Sequence, residues 1–136
     1  MRDKGLAPKV SVVVPCYNGG RFVDDLLACL RAQTFQDFEL IIVDDGSTDD
    51  TPAKLASLGP DVQAIRQTNA GPGAARNTGF RHARGDLIFI MDCDDTIEPR
   101  YLEETVSALS EAGPDVGFAF THERKIGHRQ QINRCY

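Results

Sequence analysis

"VSVVVPCYNGG", Val10 to Gly20, decides the fold. Its first five residues are four valines and Ser11, a run that is continuous rather than alternating. A strand apolar on successive residues is covered on both faces, as in a parallel sheet between layers of helices. The run then breaks at Pro15 and passes into Tyr17-Asn18-Gly19-Gly20, a polar loop whose glycines let other groups approach the backbone.

The same character recurs outward from this stretch, in "LIIV" (Leu40 to Val43) and "LIFIM" (Leu87 to Met91). Weaker strand patterns lie at "VQAI" (Val62 to Ile65) and "VGFAF" (Val116 to Phe120). Between them the period changes. Phe22, Leu26 and Leu30, flanked by Val23 and Leu27, make one apolar helical stripe. Leu102, Val106 and Leu109 make another after Pro99, which suits a first helical turn, and Gly113-Pro114 stops it. Residues 71 to 84 read as helical from Pro72 onward, and 51 to 58 as a short helix after the Ser-Thr-Asp turn. The order β-α-β-α-β-α-β-α-β predicts an α/β fold over residues 8–120: an open, mostly parallel β-sheet with helices on both faces. After Phe120, "THERKIGHRQQINRCY" is polar and basic without a period, and 121–136 reads as a tail or the cut-short start of a further unit.

Composition narrows the partners. A chain of 136 residues, 41% hydrophobic and 26% charged, is an ordinary globular balance and most simply one domain. A net charge of -5 argues against nucleic acid as a partner, since a phosphate-backbone binder shows a basic face. The longest apolar runs are about five residues, far below the roughly 20 that span a bilayer. "MRDKGLAPK" lacks the apolar centre of a signal peptide, so the expectation is a cytoplasmic segment with no membrane span. Cys16, Cys29, Cys93 and Cys135 form no CxxC pair, and reduced thiols are expected in that compartment. His122, His128 and Cys135 fit no zinc spacing.

In open α/β sheets, ligands bind outside the carboxyl ends of the strands. The residues following the three strong strands are "PCYNGG", "DDGSTDD" and "DCDD". Tyr17 offers an aromatic face for a base, and Asn18-Gly19-Gly20 offers approachable backbone. Asp44 or Asp45 can accept from an imide N–H or a sugar hydroxyl. Asp92, Asp94 and Asp95 are hard oxygen ligands suited to Mg²⁺ or Mn²⁺ bridging to phosphates. Arg76 adds a positive charge at the phosphates or the sugar. A base, a ribose and a metal-bound diphosphate together describe a nucleotide. Simpler roles stand beside these: Tyr17 as a plain loop aromatic, Asp49 and Asp50 as helix N-terminal charges, Asn69 and Asn77 as turn closers, Cys93 as a small filler. Two nucleotide signatures are missing. "GPGAAR" puts Arg76 where a dinucleotide fingerprint needs its last glycine, and no GxxxxGK[ST] occurs.

"KVSVVVPCYNGGRFVDDLLACLRAQTFQDFELIIVDDGSTDDT", "NAGPGAARNTGF" and "GDLIFIMDCDD" resemble, in order and spacing, the donor half of family 2 glycosyltransferases of the GT-A fold. The resemblance covers roughly residues 8 to 120. It implies that Pro15 and Tyr17 hold the nucleotide base, with Asn18 in the same loop, and that Asp45 contacts the uracil or ribose. It makes Asp92 and Asp94 the DxD pair, Asp94 as direct metal ligand and Asp92 nearer the ribose, with Asp95 completing a DxDD form and Arg76 on the donor side. The implied reaction moves a sugar from a nucleotide-sugar donor, a UDP-sugar first, to a saccharide or other hydroxyl acceptor with inversion, using Mn²⁺ or Mg²⁺ as cofactor. The catalytic base is implied to lie beyond the fifth strand; Glu123 is the only acid after Asp115, and its context does not mark it as that base. Two other readings follow: a nucleotide-sugar-binding module without turnover, and a haloacid-dehalogenase-like phosphatase, whose DxDx[TV] motif "DCDDT" matches. The phosphatase also requires a second acidic pair after a later strand, which the residues beyond Thr96 lack.

Overall fold

In the computed structural model, Val10–Cys16 forms β1, with all seven residues buried. The structure describes residues 7–121 and, in backbone alone, two short strands at Arg124–Lys125 and Gln131–Ile132. β1 pairs in parallel with β2 (Phe38–Asp44) on one side and with β4 (Leu87–Ile90) on the other. β3 (Val62–Arg66) joins the outer side of β2, giving the parallel order β3-β2-β1-β4. The continuous apolar runs mark the two central strands, where both faces are covered, while β3 and β4 at the edges are only partly buried.

Helices lie on both faces. The stripe of Val23, Leu26, Leu27 and Leu30 on α1 (Val23–Arg31) packs on Val10, Val12, Val14, Leu40 and Ile42. Leu55 of α2 (Thr51–Ala56) and Leu102 of α4 (Tyr101–Ala112) join the same cluster. Burying one such leucine stabilises the fold by roughly 1.5–3 kcal/mol. The opposite face carries α3 (Pro72–His82), whose Ala75 packs on Ile41 and Val43. Gly79 lets α3 come close: a Cβ there would run into the side chain of Val13. Beyond the reach of α3, Ile88 and Ile90 of β4 stay 47% and 43% exposed.

Pro72 starts its helix as expected. Pro99 does not: α4 begins at Tyr101, and the Pro99 carbonyl instead accepts the Thr34 backbone N–H at 2.8 Å. Gly113, at φ +86°, ends α4. Asn77 closes no turn and lies inside α3.

The expected fifth strand at Val116–Phe120 does not form. A strand exists through its neighbour's hydrogen bonds, and no neighbour pairs with these residues among those described. Val116 N–H instead closes a turn onto Gly113, and Gly117 interrupts the run. Phe118 and Phe120, 75% and 71% exposed, stack on each other at 6.2 Å. In the region read as a tail, Arg124–Lys125 pairs antiparallel with Gln131–Ile132. His122, Glu123, His128 and Cys135 lie outside the described residues. Among the described residues no helix is long and apolar enough to cross a membrane.

Candidate functional site

Register builds the site. Cys16 at the end of β1 stands beside Asp44 at the end of β2, and Val13 stands beside Ile90 of β4. The residues that follow these strands therefore meet along one carboxyl edge. There an open cleft of about 420 Å³ is lined by Pro15, Tyr17, Asp45, Arg76, Asp92 and Asp94. Cys16, Cys93, Asn69, Gly71 and Pro72 complete its wall. Six of the eight residues that the resemblance names thus come together; Asn18 and Asp95 are not among the lining residues.

Asn18 is turned to another use. It adopts φ +50°, a left-handed conformation that asparagine tolerates. Its Oδ1 accepts the backbone N–H of Thr48 at 2.9 Å and of Asp49 at 3.3 Å, and its own N–H donates to Ser47 Oγ at 2.9 Å. It ties the β1 loop to the β2 loop and is not among the residues lining the cleft.

The adjacent acids of "VDDGS" divide their work. Asp44 Oδ1 accepts the Ser47 N–H at 2.9 Å, and Oδ2 lies 3.5 Å from Arg66 Nε. Asp45, 3% exposed, gathers the loop after β3. Its Oδ1 accepts Gln67 Nε2 at 2.8 Å and the Ala70 N–H at 2.9 Å; its Oδ2 accepts the Gly71 N–H at 2.9 Å. Gly46 permits the turn between them: it sits at φ +72°, and a Cβ would lie 2.7 Å from the Asn69 nitrogen. Asp49 and Asp50 stand at the start of α2 as expected, Asp50 at the N-cap without a side-chain capping bond. Asp49 Oδ1 accepts the Thr51 N–H, and its hydrogen bonds with Thr51 hold its carboxyl below the usual range.

The "DCDD" turn is built differently. The Asp95 N–H closes onto the Asp92 carbonyl at 3.1 Å, and Asp92, Asp94 and Asp95 all point to solvent. Arg76 reaches over from the first turns of α3, donating to Asp92 Oδ1 at 2.9 Å, while its enclosed Nε makes no hydrogen bond. Among the described residues no hydrogen bond reaches the Asp94 carboxylate. Two exposed carboxylates fit a hard divalent cation that keeps water and phosphate oxygens as its other ligands. No group of three or more acidic, histidine or cysteine residues among those described makes a closed protein cage. Between the two acids, Cys93 meets Cys16. Their hydrogen bond pushes the Cys16 thiol far up, with burial adding to the effect, and brings Cys93 down.

Sequence reasoning missed Gln67, Ala70 and Gly71 as the partners of Asp45, because their pairing depends on how the loop after β3 folds back. It read Asn69 as a turn residue, and the structure sets it in the cleft wall.

The sequence matches the family described as Glycosyl transferase family 2 over residues 11–134. An uncharacterized glycosyltransferase of Nostoc sp. (strain PCC 7120), alr2836, is 39% identical over 105 residues, covering 74% of this chain and 33% of that protein. Crystalline S. aureus TarS in complex with UDP-GlcNAc superposes with a TM-score of 0.70 at 33% identity, over 76% of this chain and 31% of that one. The mannosyltransferase PcManGT of Pyrobaculum calidifontis, in complex with GDP-Man and Mn²⁺, gives 0.72 at 33% identity, over 85% and 35%. The chain spans about a third of the length of these relatives.

Proposed function

The chain belongs to glycosyl transferase family 2, and from that premise we propose that residues 8–120 are the donor-binding half of an inverting, divalent-metal-dependent transferase using a UDP-sugar. One observation carries the proposal: a single cleft gathers Pro15, Tyr17, Asp45, Arg76, Asp92 and Asp94 at the carboxyl edge of the sheet. Tyr17, 52% exposed, presents its ring for stacking on the base beside Pro15. Asp45 holds the opposite wall through Gln67, Ala70 and Gly71, and so shapes the nucleoside's side of the cleft through that loop. We assign the ribose hydroxyls to Asp92 and the donor's negative charge to Arg76, which lies 2.9 Å from Asp92.

Asp94 and Asp92 would hold Mn²⁺ or Mg²⁺, which neutralises charge on the departing diphosphate as a Lewis acid. Inversion also needs a base to take the proton of the acceptor hydroxyl, and we assign that role to no residue of this chain. The acceptor, a saccharide or another hydroxyl compound, is met on the side the cleft leaves open. The uridine preference follows the likeness to TarS, which was crystallised with UDP-GlcNAc.

The test is calorimetric titration of UDP, and of GDP alongside it, into the folded protein with and without Mn²⁺. Binding of UDP that requires Mn²⁺ is expected. Tighter GDP binding would overturn the uridine preference, and equal heats without metal would overturn the role of Asp94. A folded protein that binds neither nucleotide would overturn the donor site. Slow release of sugar from the donor would then separate a transferase from a module that only binds.

A further inference from the structure

The two thiols in the wall of the cleft come from distant places in the chain. Continuing the β1–β4 register past Val13 and Ile90 sets Cys16 opposite Cys93. Both sulfurs crowd the space left by the missing side chain of Gly19: a Cβ there would lie 2.5 Å from Cys93 Sγ and 2.8 Å from Cys16 Sγ. Cys16 is 1% exposed and fixed in the central strand, whereas Cys93 sits half-buried on a turn that borders the open cleft. A small reagent entering the cleft therefore meets Cys93, with Cys16 directly behind it. Cys29 lies on α1, away from the cleft-lining residues.

We propose that Cys16 and Cys93 are a disulfide-forming pair, and that closing the bond with a small-molecule disulfide as oxidant disables the cleft. Cys93 Sγ displaces one thiol from the oxidant to give a mixed disulfide, and Cys16 Sγ then displaces the second. The protein pair gives up two electrons and two protons, and the oxidant leaves as two thiols. A disulfide holds its sulfurs about 2.05 Å apart, closer than two free thiols pack, so they must draw together. Cys16 is held by the core, and the movement falls on Cys93. Asp92 and Asp94 flank it and shift with it. Ligand constellations need positions held to about 0.5 Å, so the oxidised turn loses its grip on a metal-bound diphosphate. This consequence rests on the donor-site reading above; the bond itself does not.

Oxidised glutathione is the probe. The reduced protein is incubated with it, remaining thiols are alkylated, and peptides are mapped without reductant. The expected product is one cross-link between the Cys16 and Cys93 peptides, lighter by two hydrogens, with Cys29 and Cys135 alkylated. UDP affinity in Mn²⁺ should fall roughly tenfold or more on oxidation and return with dithiothreitol. Cys93→Ser should give no cross-link and the same UDP affinity before and after oxidant, while Cys29→Ser responds like the parent. A lasting glutathione adduct on Cys93, or two unmodified thiols, overturns the pairing. A complete cross-link with unchanged affinity overturns its effect on the cleft. Failure of the reduced protein to bind UDP would count against the donor site alone, because the peptide map does not depend on nucleotide.

Discussion

Asp45 at the end of β2 and Asp94 beyond the end of β4 line the same cleft, yet their surroundings are opposite. Asp45 is buried and takes three hydrogen bonds from the chain itself. Asp94 lies in the open, and no hydrogen bond from the described residues reaches its carboxylate. A buried carboxylate that is fully partnered holds the cleft in shape. An exposed, unpartnered one beside a second acid is free to serve a ligand from outside. Adjacent acids look alike in sequence; the donors folded around them assign their work.

The comparison can be broken from either end. Asp45→Ala should produce the largest effect, a loss of about 3 kcal/mol in urea unfolding, since charged hydrogen bonds vanish and two backbone N–H groups lose their acceptor. If Asp45→Ala is as stable as the parent, the contrast fails. Asp94→Ala should leave unfolding within about 0.5 kcal/mol of the parent while weakening Mn²⁺-dependent UDP binding roughly 100-fold. A destabilised Asp94→Ala, or one with intact binding, would place that residue in the other class.

Arg76→Ala sharpens the contrast. Its pair with Asp92 is partly exposed, so stability should change by less than about 1 kcal/mol. UDP affinity should drop roughly fivefold, with a weaker dependence on salt than the parent shows. An unaltered salt dependence would remove Arg76 from the donor's charge.

The smallest effect concerns Glu39, an acid partnered like Asp45 but outside the cleft. Burial pushes its pKa up, yet hydrogen bonds from Ser11 and from the backbone and side chain of Arg84 outweigh this and hold it below the ordinary 4.5. Its charged form therefore stabilises the fold above about pH 4.5, and that contribution fades as pH falls through the lower folded value. Glu39→Gln should flatten the acid limb of the stability profile below that pH. A limb as steep as the parent's would assign acid sensitivity to other carboxylates.

Much of this arrangement was legible in the sequence. Continuous apolar runs revealed β1 and β2 because two-sided burial is written locally, residue by residue; the same run in β4 marked a strand but not its burial, since Ile88 and Ile90 leave one face exposed at the sheet edge. Val116–Phe120 carries a similar signature and formed no strand, because pairing depends on a neighbour that local pattern does not specify. The cleft was legible as well, since α/β topology sends the ends of β1, β2 and β4 to one edge. Asn18 and Asp45 show where that reasoning stopped. Their side chains are engaged by Thr48 and Asp49, and by Gln67, Ala70 and Gly71, contacts set by the way loops fold onto one another. Cys16 and Cys93 were read as separate reduced thiols, Cys93 as a small filler, for the same reason: only the strand register makes them neighbours.

The central place of β1 also bears on how the chain reaches this state. Val10 pairs with Phe38 on one side but waits for Leu87 on the other. As the polypeptide is synthesised, β1, β2 and β3 can assemble while the second edge of the most apolar strand is still bare. Parallel pairings across long crossovers form slowly, and an open apolar edge is a template for another chain. The passage from three strands to four is thus the stage at which this protein is most exposed to aggregation, and β4 protects the nascent sheet before it ever presents Asp94 to a ligand.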